Sequence, residues 1–227
     1  MNDAGMSVTE ALKRRISTRA YLPRPVAESL VREILEVARW APSGGNLQPW
    51  KVIAVSGAAQ EAVTALARNY KGVFPAEDGD KPVYPPNLWE PYRSRRYKIG
   101  EDLYALLGIP REDKPARLRQ LARNFEFFGA PVGLFFVIDE RMGHGQWAHL
   151  GMFMQSLALA AAERGLASCF QEFWGTLRKT LKTHFALAQA DMVYCGMALG
   201  YADESAQVNQ LRSERAGVDE FASFRFG

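Results

Sequence analysis

Cysteine, histidine and long apolar runs are all scarce in this 227-residue chain. The two cysteines, Cys169 and Cys195, lie far apart in apolar surroundings, so there is no CxxC pair and no zinc-ligand spacing, and two buried free thiols are expected. The three histidines, His144, His149 and His184, have neither the Ser or Cys companions of a hydrolase nor a metal-binding spacing, and each reads as a surface or packing residue. The longest apolar run, Ala130 to Ile138, is too short to span a bilayer, and MNDAGMSVTE lacks a basic stretch followed by an apolar one. A soluble cytoplasmic protein with no membrane partner and no bound metal is expected. Strong charge is missing too: 28 Lys and Arg against 25 Asp and Glu leave a net +3, too weak a field to indicate nucleic-acid binding. Neither GxGxxG after a strand nor GxxxxGK[ST] occurs, which removes the common nucleotide-phosphate cradles.

With 48% apolar and 23% charged residues, the chain has the composition of an ordinary globular domain. Ser7 and Glu10 can form a capping box for a short helix that ends near an arginine cluster. Apolar spacing predicts helices over Ala27–Trp40, Ala58–Tyr70, Tyr92–Leu107, Lys114–Phe128, Trp147–Arg164 and Thr176–Phe185. Strands are predicted at Lys51–Ser56, Pro131–Asp139, Leu166–Phe170 and Met192–Tyr201. Gly165 is placed to stop the long helix, whose small residues, among them Gly151, Ser156 and Ala158, allow another helix or a subunit to approach closely. Five prolines between Lys71 and Pro91 argue against regular structure there, and the aromatic tail FASFRF is able to pair as a strand. The alternation gives an α+β or three-layer α/β/α fold in a single domain, residues 1–227, with a lid or insert around 71–128.

RRISTRAYLPRPV places Arg14, Arg15, Ser17, Thr18 and Arg19 within six residues. Cations at a helix end are usually a solvated feature that complements the dipole. Here the added hydroxyls, and the backbone N–H groups of the following turn, favour a phosphate monoester. PSGGNLQPW adds Ser43, Asn46 and Gln48 as hydrogen-bonding side chains on a loop between a helix and a strand. YRSRRYK, Tyr92 to Lys98, is the one stretch that a nucleic-acid-binding reading can use, and the mild overall charge weighs against it.

In order and spacing, RRISTRAYLPRPV, ARWAPSGGNLQPWKVIAV, GLASCFQEFW, GMALGYAD and SERAGVDEF resemble the FMN-dependent nitroreductases over nearly the whole chain. EPYRSRRYKIGEDLYALLGI and NFEFFGAPVGLFFVID are most similar to the nitrobenzoate reductase type. The resemblance implies a central mixed β-sheet flanked by helices, and a homodimer with FMN at the subunit interface and C-terminal tails exchanged between partners. It implies that Arg15 and Ser17, assisted by Arg14 and joined by Arg215, grip the FMN phosphate, and that Arg19 sits at the N1/C2=O edge of the isoalloxazine. Pro42, Ser43, Gly44 and Asn46 would come from the other subunit. Phe170, Gln171, Glu172 and Phe173 would lie beside the ring with a backbone N–H near N5, although relatives often carry glycine at the position of Phe173. Arg93 and Arg96 are candidates for the pyrimidine edge.

The implied activity is NAD(P)H-dependent reduction of small nitroaromatic acceptors by ping-pong hydride transfer through flavin N5. The flavin carries the chemistry, with Arg19 and Glu172 in supporting roles. Enone or quinone reduction, reductive dehalogenation, flavin breakdown and non-catalytic flavin binding are the alternatives. The prolines and aromatics from Phe74 to Tyr92 would cover the substrate side.

Overall fold

A computed structural model describes residues 5–68, 77 and 83–227. The start of the expected cover, 74–76 and 78–82, lies outside the described residues. In chain order the elements are α1 (Val8–Arg14), α2 (Glu28–Ala38), β1 (Lys51–Ser56), α3 (Gly57–Arg68), α4 (Tyr92–Leu106), α5 (Lys114–Ala122), β2 (Val132–Asp139), α6 (His144–Glu163), β3 (Ala167–Gln171), α7 (Arg178–His184), β4 (Asp191–Gly200) and α8 (Val218–Phe221).

The four strands form one sheet in the order β1-β2-β4-β3, with every neighbouring pair antiparallel. Among the described residues of one chain, the mixed character implied by the resemblance is confined to a single parallel bridge, Ser17 to Ser168, outside the named strands. Side-chain alternation sorts β2 onto two faces. Val132, Leu134, Phe136 and Ile138 meet α2 and α6 through Val31, Ile34, Leu150, Phe153 and Leu157. Phe135 and Val137 meet Val63 of α3, Leu181 of α7 and the rings of Phe127 and Trp174. The result is three layers around a buried sheet, as the apolar spacing predicts.

β4 breaks this alternation once. Phe136 pairs with Cys195 but Val137 pairs with Val193, so Tyr194 is the extra residue of a β-bulge. Tyr194 and Cys195 therefore both turn toward the α6 layer. Tyr194 packs edge-on against Trp147 at 5.7 Å.

α6 stops where the sequence places its end, because Gly165 adopts φ +74, a conformation that L side chains resist. The helix expected over Lys114–Phe128 ends earlier. After Ala122 the chain enters a 3₁₀ segment in which Phe127 and Phe128 take positive φ, and both rings are buried. Burial of two aromatic rings overrides the local backbone preference there. The helix expected from Thr176 begins as a 3₁₀ segment at Glu172 and becomes α7 at Arg178.

Residues 222–227 form no strand in this chain, and Phe226 is 90% exposed. α4 buries no residue fully; Glu101 and Arg117 tie it to α5, while Arg95–Glu220 and Lys98–Glu214 tie it to the tail.

The aromatic layer depends on missing side chains beneath it. A Cβ added to Gly196 would stand 2.3 Å from a Trp174 ring carbon. Gly196→Ala is expected to cost about 1–3 kcal/mol through overpacking, measured by denaturant unfolding. Gly145→Ala, whose Cβ meets nothing within 4 Å, should leave stability unchanged or slightly raised. Equal stability of the two variants would contradict the packing account.

Candidate functional site

The arginine cluster is positioned by local chemistry. The Ser7 hydroxyl accepts from the Glu10 amide while the Glu10 carboxylate accepts from the Ser7 amide, fixing the start of α1. α1 ends at Arg15, whose backbone is extended and whose N–H returns to Ala11 O. The chain then runs along the edge of β3, with Thr18 N–H donating to Ser168 O at 3.0 Å. Asn209, itself buried, secures this strap: its Oδ1 accepts from Arg19 N–H at 2.8 Å and its Nδ2 donates to Ala20 O and Asp203 O. Asn209 is a positioning residue that a sequence reading misses, because nothing in the polar tail distinguishes it.

The strap brings Arg15, Ser17 and Arg19 around the buried Cys169. Burial raises the thiol pKa, against the pull of both arginines and a side-chain hydrogen bond with Ser17. Arg15 has its own pKa lowered, first by burial and then by the cation of Arg215. Its Nε is buried without a hydrogen-bond partner. Among the described residues, no carboxylate lies within ion-pair distance of Arg15, Arg19 or Arg215. The Arg19 guanidinium rests on Ser17 O at 3.1 Å, and Arg215 donates to Ser213 O at 3.0 Å and to Glu214 O at 2.9 Å. Two like charges beside a desolvated donor, with no counter-ion among the described residues, are an arrangement suited to an anionic ligand.

Arg14 is exposed and borders, with Arg15, Thr18, Arg212 and the last turns of α6, a groove of about 730 Å³. The structure thus brings Arg15, Ser17, Arg19 and Arg215 together and leaves Arg14 at the margin.

β3 leads from the strap to the remaining residues. Phe170 packs toward the α6 layer, 6.2 Å from the Phe136 ring. Gln171 is buried: its Nε2 donates to Asn124 O at 2.8 Å, while Oε1 has no partner. Phe173 lies 4.7 Å from Phe125. Burial raises the Glu172 carboxyl pKa, with the cation of Arg178 opposing it. The Tyr194 phenol is raised as well, chiefly by burial and then by Glu172. Tyr194 is the extra residue of the bulge, so strict strand alternation does not predict which face it takes.

The second loop lies elsewhere in the chain. Ser43 Oγ accepts from Gln48 N–H at 2.9 Å, and Asn46 and Gln48 adopt positive φ. Gly44 packs on the first turns of α6, its N–H 3.4 Å from His149 Nδ1, and a Cβ there would come within 3.1 Å of the imidazole. Arg14 and Arg15 sit instead near Ala158 and Ala162. At about 1.5 Å per helical residue, roughly 14–20 Å of α6 separates His149 from those alanines. Pro42, Ser43, Gly44 and Asn46 are therefore not assembled with the anion site within one chain. Arg93 and Arg96 line a different cavity with Trp89 and Tyr97.

Comparison with known proteins gives this arrangement its context. The model of the nitroreductase family matches residues 12–201, from the end of α1 through β4. The chain belongs to the nitroreductase family. It is 37% identical to a nitrobenzene nitroreductase of Ectopseudomonas oleovorans over 96% of each chain. It is 39% identical to a 4-nitrobenzoate reductase of Pseudomonas putida over 92% of each. The crystal structure of the FMN- and NADPH-dependent nitroreductase NfnB from Sphigopyxis sp. strain HMH superposes with a TM-score of 0.92 at 41% identity, covering 98% of this chain and all of the other. The family fold accounts for the three layers; the residues described above are this member's own.

Glu172 offers a test of the local electrostatics. A carboxyl whose folded-state pKa is raised contributes stability below its unfolded pKa and loses it as pH rises through the folded value. Glu172→Gln is accordingly expected to be more stable than the parent at about pH 7 and no more stable at about pH 4, in denaturation curves at both pH values. A gain of equal size at both would contradict burial as the cause.

Proposed function

We propose that this chain is an FMN-dependent, NAD(P)H-oxidising reductase of nitroaromatic compounds that works as a homodimer. The observation that carries the reading is the convergence of Arg15 and Arg215 without a counter-ion, in a chain whose relatives reduce nitrobenzene and 4-nitrobenzoate. The residues present fit FMN. The buried, unpartnered Arg15 Nε, the Ser17 side chain and the Arg215 guanidinium would hold the phosphate. Arg19 is a fixed cation for negative charge on the pyrimidine side of the ring. Phe170, Gln171, Glu172 and Phe173 would border that ring, while Arg14 contributes only from the margin. When bound, FMN supplies two-electron chemistry, accepting hydride from a nicotinamide and passing reducing equivalents to the acceptor. The protein's own work is to place the ring, exclude water on the β3 side and hold charge at Arg19.

Three features support the dimer. The SGGN loop and the strap are set apart along α6 in one chain, so a second chain is needed to bring Pro42, Ser43, Gly44 and Asn46 to the ring. Trp40 is 80% exposed and, with exposed Val37, Leu47 and Met152, leaves an apolar face on α2, the loop and α6. The aromatic tail has no strand partner among the described residues of its own chain, and β1 is an edge of the sheet, which suits exchange of tails.

Purified protein supplied with NADPH is expected to convert nitrobenzene and 4-nitrobenzoate to hydroxylamines, followed by chromatography; absence of acceptor turnover would sink the assignment. Arg15→Ala and Arg215→Ala should each weaken FMN retention, since one charge-assisted hydrogen bond contributes about 1.5–3 kcal/mol, on the order of a tenfold to hundredfold change. Flavin fluorescence on dilution reports the loss, and far-UV circular dichroism should stay unchanged. Deleting residues 221–227 should move the protein from dimer toward monomer in light scattering; an unaltered dimer would rule out tail exchange as its main support.

A further inference from the structure

A second constellation lies outside the strap and the loop. Residues Asn87 to Glu90 fold back over the first turns of α4, with Asn87 at positive φ, and enclose with α4 a cavity of about 840 Å³. This volume lies within the roughly 300–1,000 Å³ typical of small-molecule sites. Its lining includes Trp89, Arg93, Arg96, Tyr97 and Gly100, together with two carboxylates, Glu90 paired with Arg93 and Glu101 paired with Arg117. Trp89 is 60% exposed and is oriented by an edge contact with Tyr92 at 5.5 Å. The Arg96 guanidinium lies 4.1 Å from the centroid of the exposed Tyr84 ring. Unlike Arg93, which pairs with Glu90 at 2.8 Å, Arg96 has no carboxylate partner among the described residues.

α4 presents two faces. Arg95 and Lys98 bind Glu220 and Glu214, the acids on either side of Arg215 in the tail. Arg93, Arg96, Tyr97 and Gly100 follow helical spacing on a separate face and line the cavity. Its occupant is thus set off from the tail by about the 10 Å width of a helix. A single-ring acceptor must touch the flavin, whereas a dinucleotide donor touches it with only one end. Because the chain lacks GxGxxG, the other end needs a holding site of a different kind. The groove of about 640 Å³ beside Gln60 offers Arg68 but no aromatic ring, so it lacks a surface on which a purine stacks.

We propose that the cavity between Trp89 and α4 receives the adenosine 2′-phosphate end of NADPH, with the purine against the exposed rings and the phosphate on Arg96 and Arg93. This rests on the reading of the chain as a nicotinamide-dependent flavin reductase. Arginine forks suit phosphate, and a purine stacks readily on tryptophan or tyrosine.

Calorimetric titration of the flavin-loaded protein with adenosine 2′,5′-bisphosphate and with adenosine 5′-monophosphate tests the site without turnover. The parent should bind the bisphosphate about tenfold or more tighter than the monophosphate. Arg96→Ala should abolish that difference, Arg96→Lys should restore part of it, and Trp89→Ala should weaken both ligands. In stopped-flow reduction, Arg96→Ala should lower the NADPH rate constant per concentration about tenfold and leave the NADH value unchanged. Bisphosphate binding that is absent in the parent, or unchanged in Arg96→Ala, would overturn the proposal. So would a raised KM for 4-nitrobenzoate alone, which would give the cavity to a carboxylated acceptor. Failure of the enzymatic reading would appear differently, as loss of flavin-dependent turnover in the parent itself.

Discussion

The pinning of the strap to the edge of β3 is the constraint on which the site depends. One backbone hydrogen bond, Thr18 N–H to Ser168 O, and the three bonds of Asn209 hold Arg15 and Arg19 where they would not remain by their own electrostatics. Arg15 loses solvation and faces Arg215, and neither effect is offset by a carboxylate. A half-buried cation facing a second, exposed one is a costly arrangement for a fold to hold by itself, and an anionic ligand would offset it.

The sheet makes that geometry rigid. β2 is buried on both faces, and the glycine at 196 lets Trp174 lie directly on β4. The bulge at Tyr194 breaks the regularity of β4 beside Glu172, and a bulge next to a site is a common way of re-aiming a side chain. Glu172 and Tyr194 both have raised pKa values, chiefly from burial, so the region beyond β3 favours uncharged protein groups. Positive charge gathers at the strap in Arg14, Arg15 and Arg19, joined by Arg215 from the tail. This division suits a ligand with an anionic end and a flat, largely apolar end.

Much of this was legible in the chain, for identifiable reasons. β1 and β2 follow from β-branched and aromatic runs, and α6 ends at Gly165 because only that residue relaxes into its backbone conformation. The strap was legible as chemistry, since hydroxyls interleaved with arginines favour an anionic ligand over a solvated helix end. The left-handed pair Phe127–Phe128 was not, because tertiary burial of the rings decides it. The bulge at Tyr194 and the role of Asn209 are likewise set by partners distant in sequence. The tail's aromatic pattern is able to pair as a strand, yet a strand needs a neighbour, and the tail has none among the described residues of one chain. The SGGN loop matched its family motif but stands apart from the strap within one chain, a separation that spacing along the sequence does not reveal.

The most direct test of the central claim is the flavin content of the isolated protein, followed spectroscopically during anaerobic addition of NADPH. The account requires stoichiometric FMN whose visible absorption bleaches with NADPH and returns when 4-nitrobenzoate is added. Protein that is colourless and takes up no added FMN would contradict it.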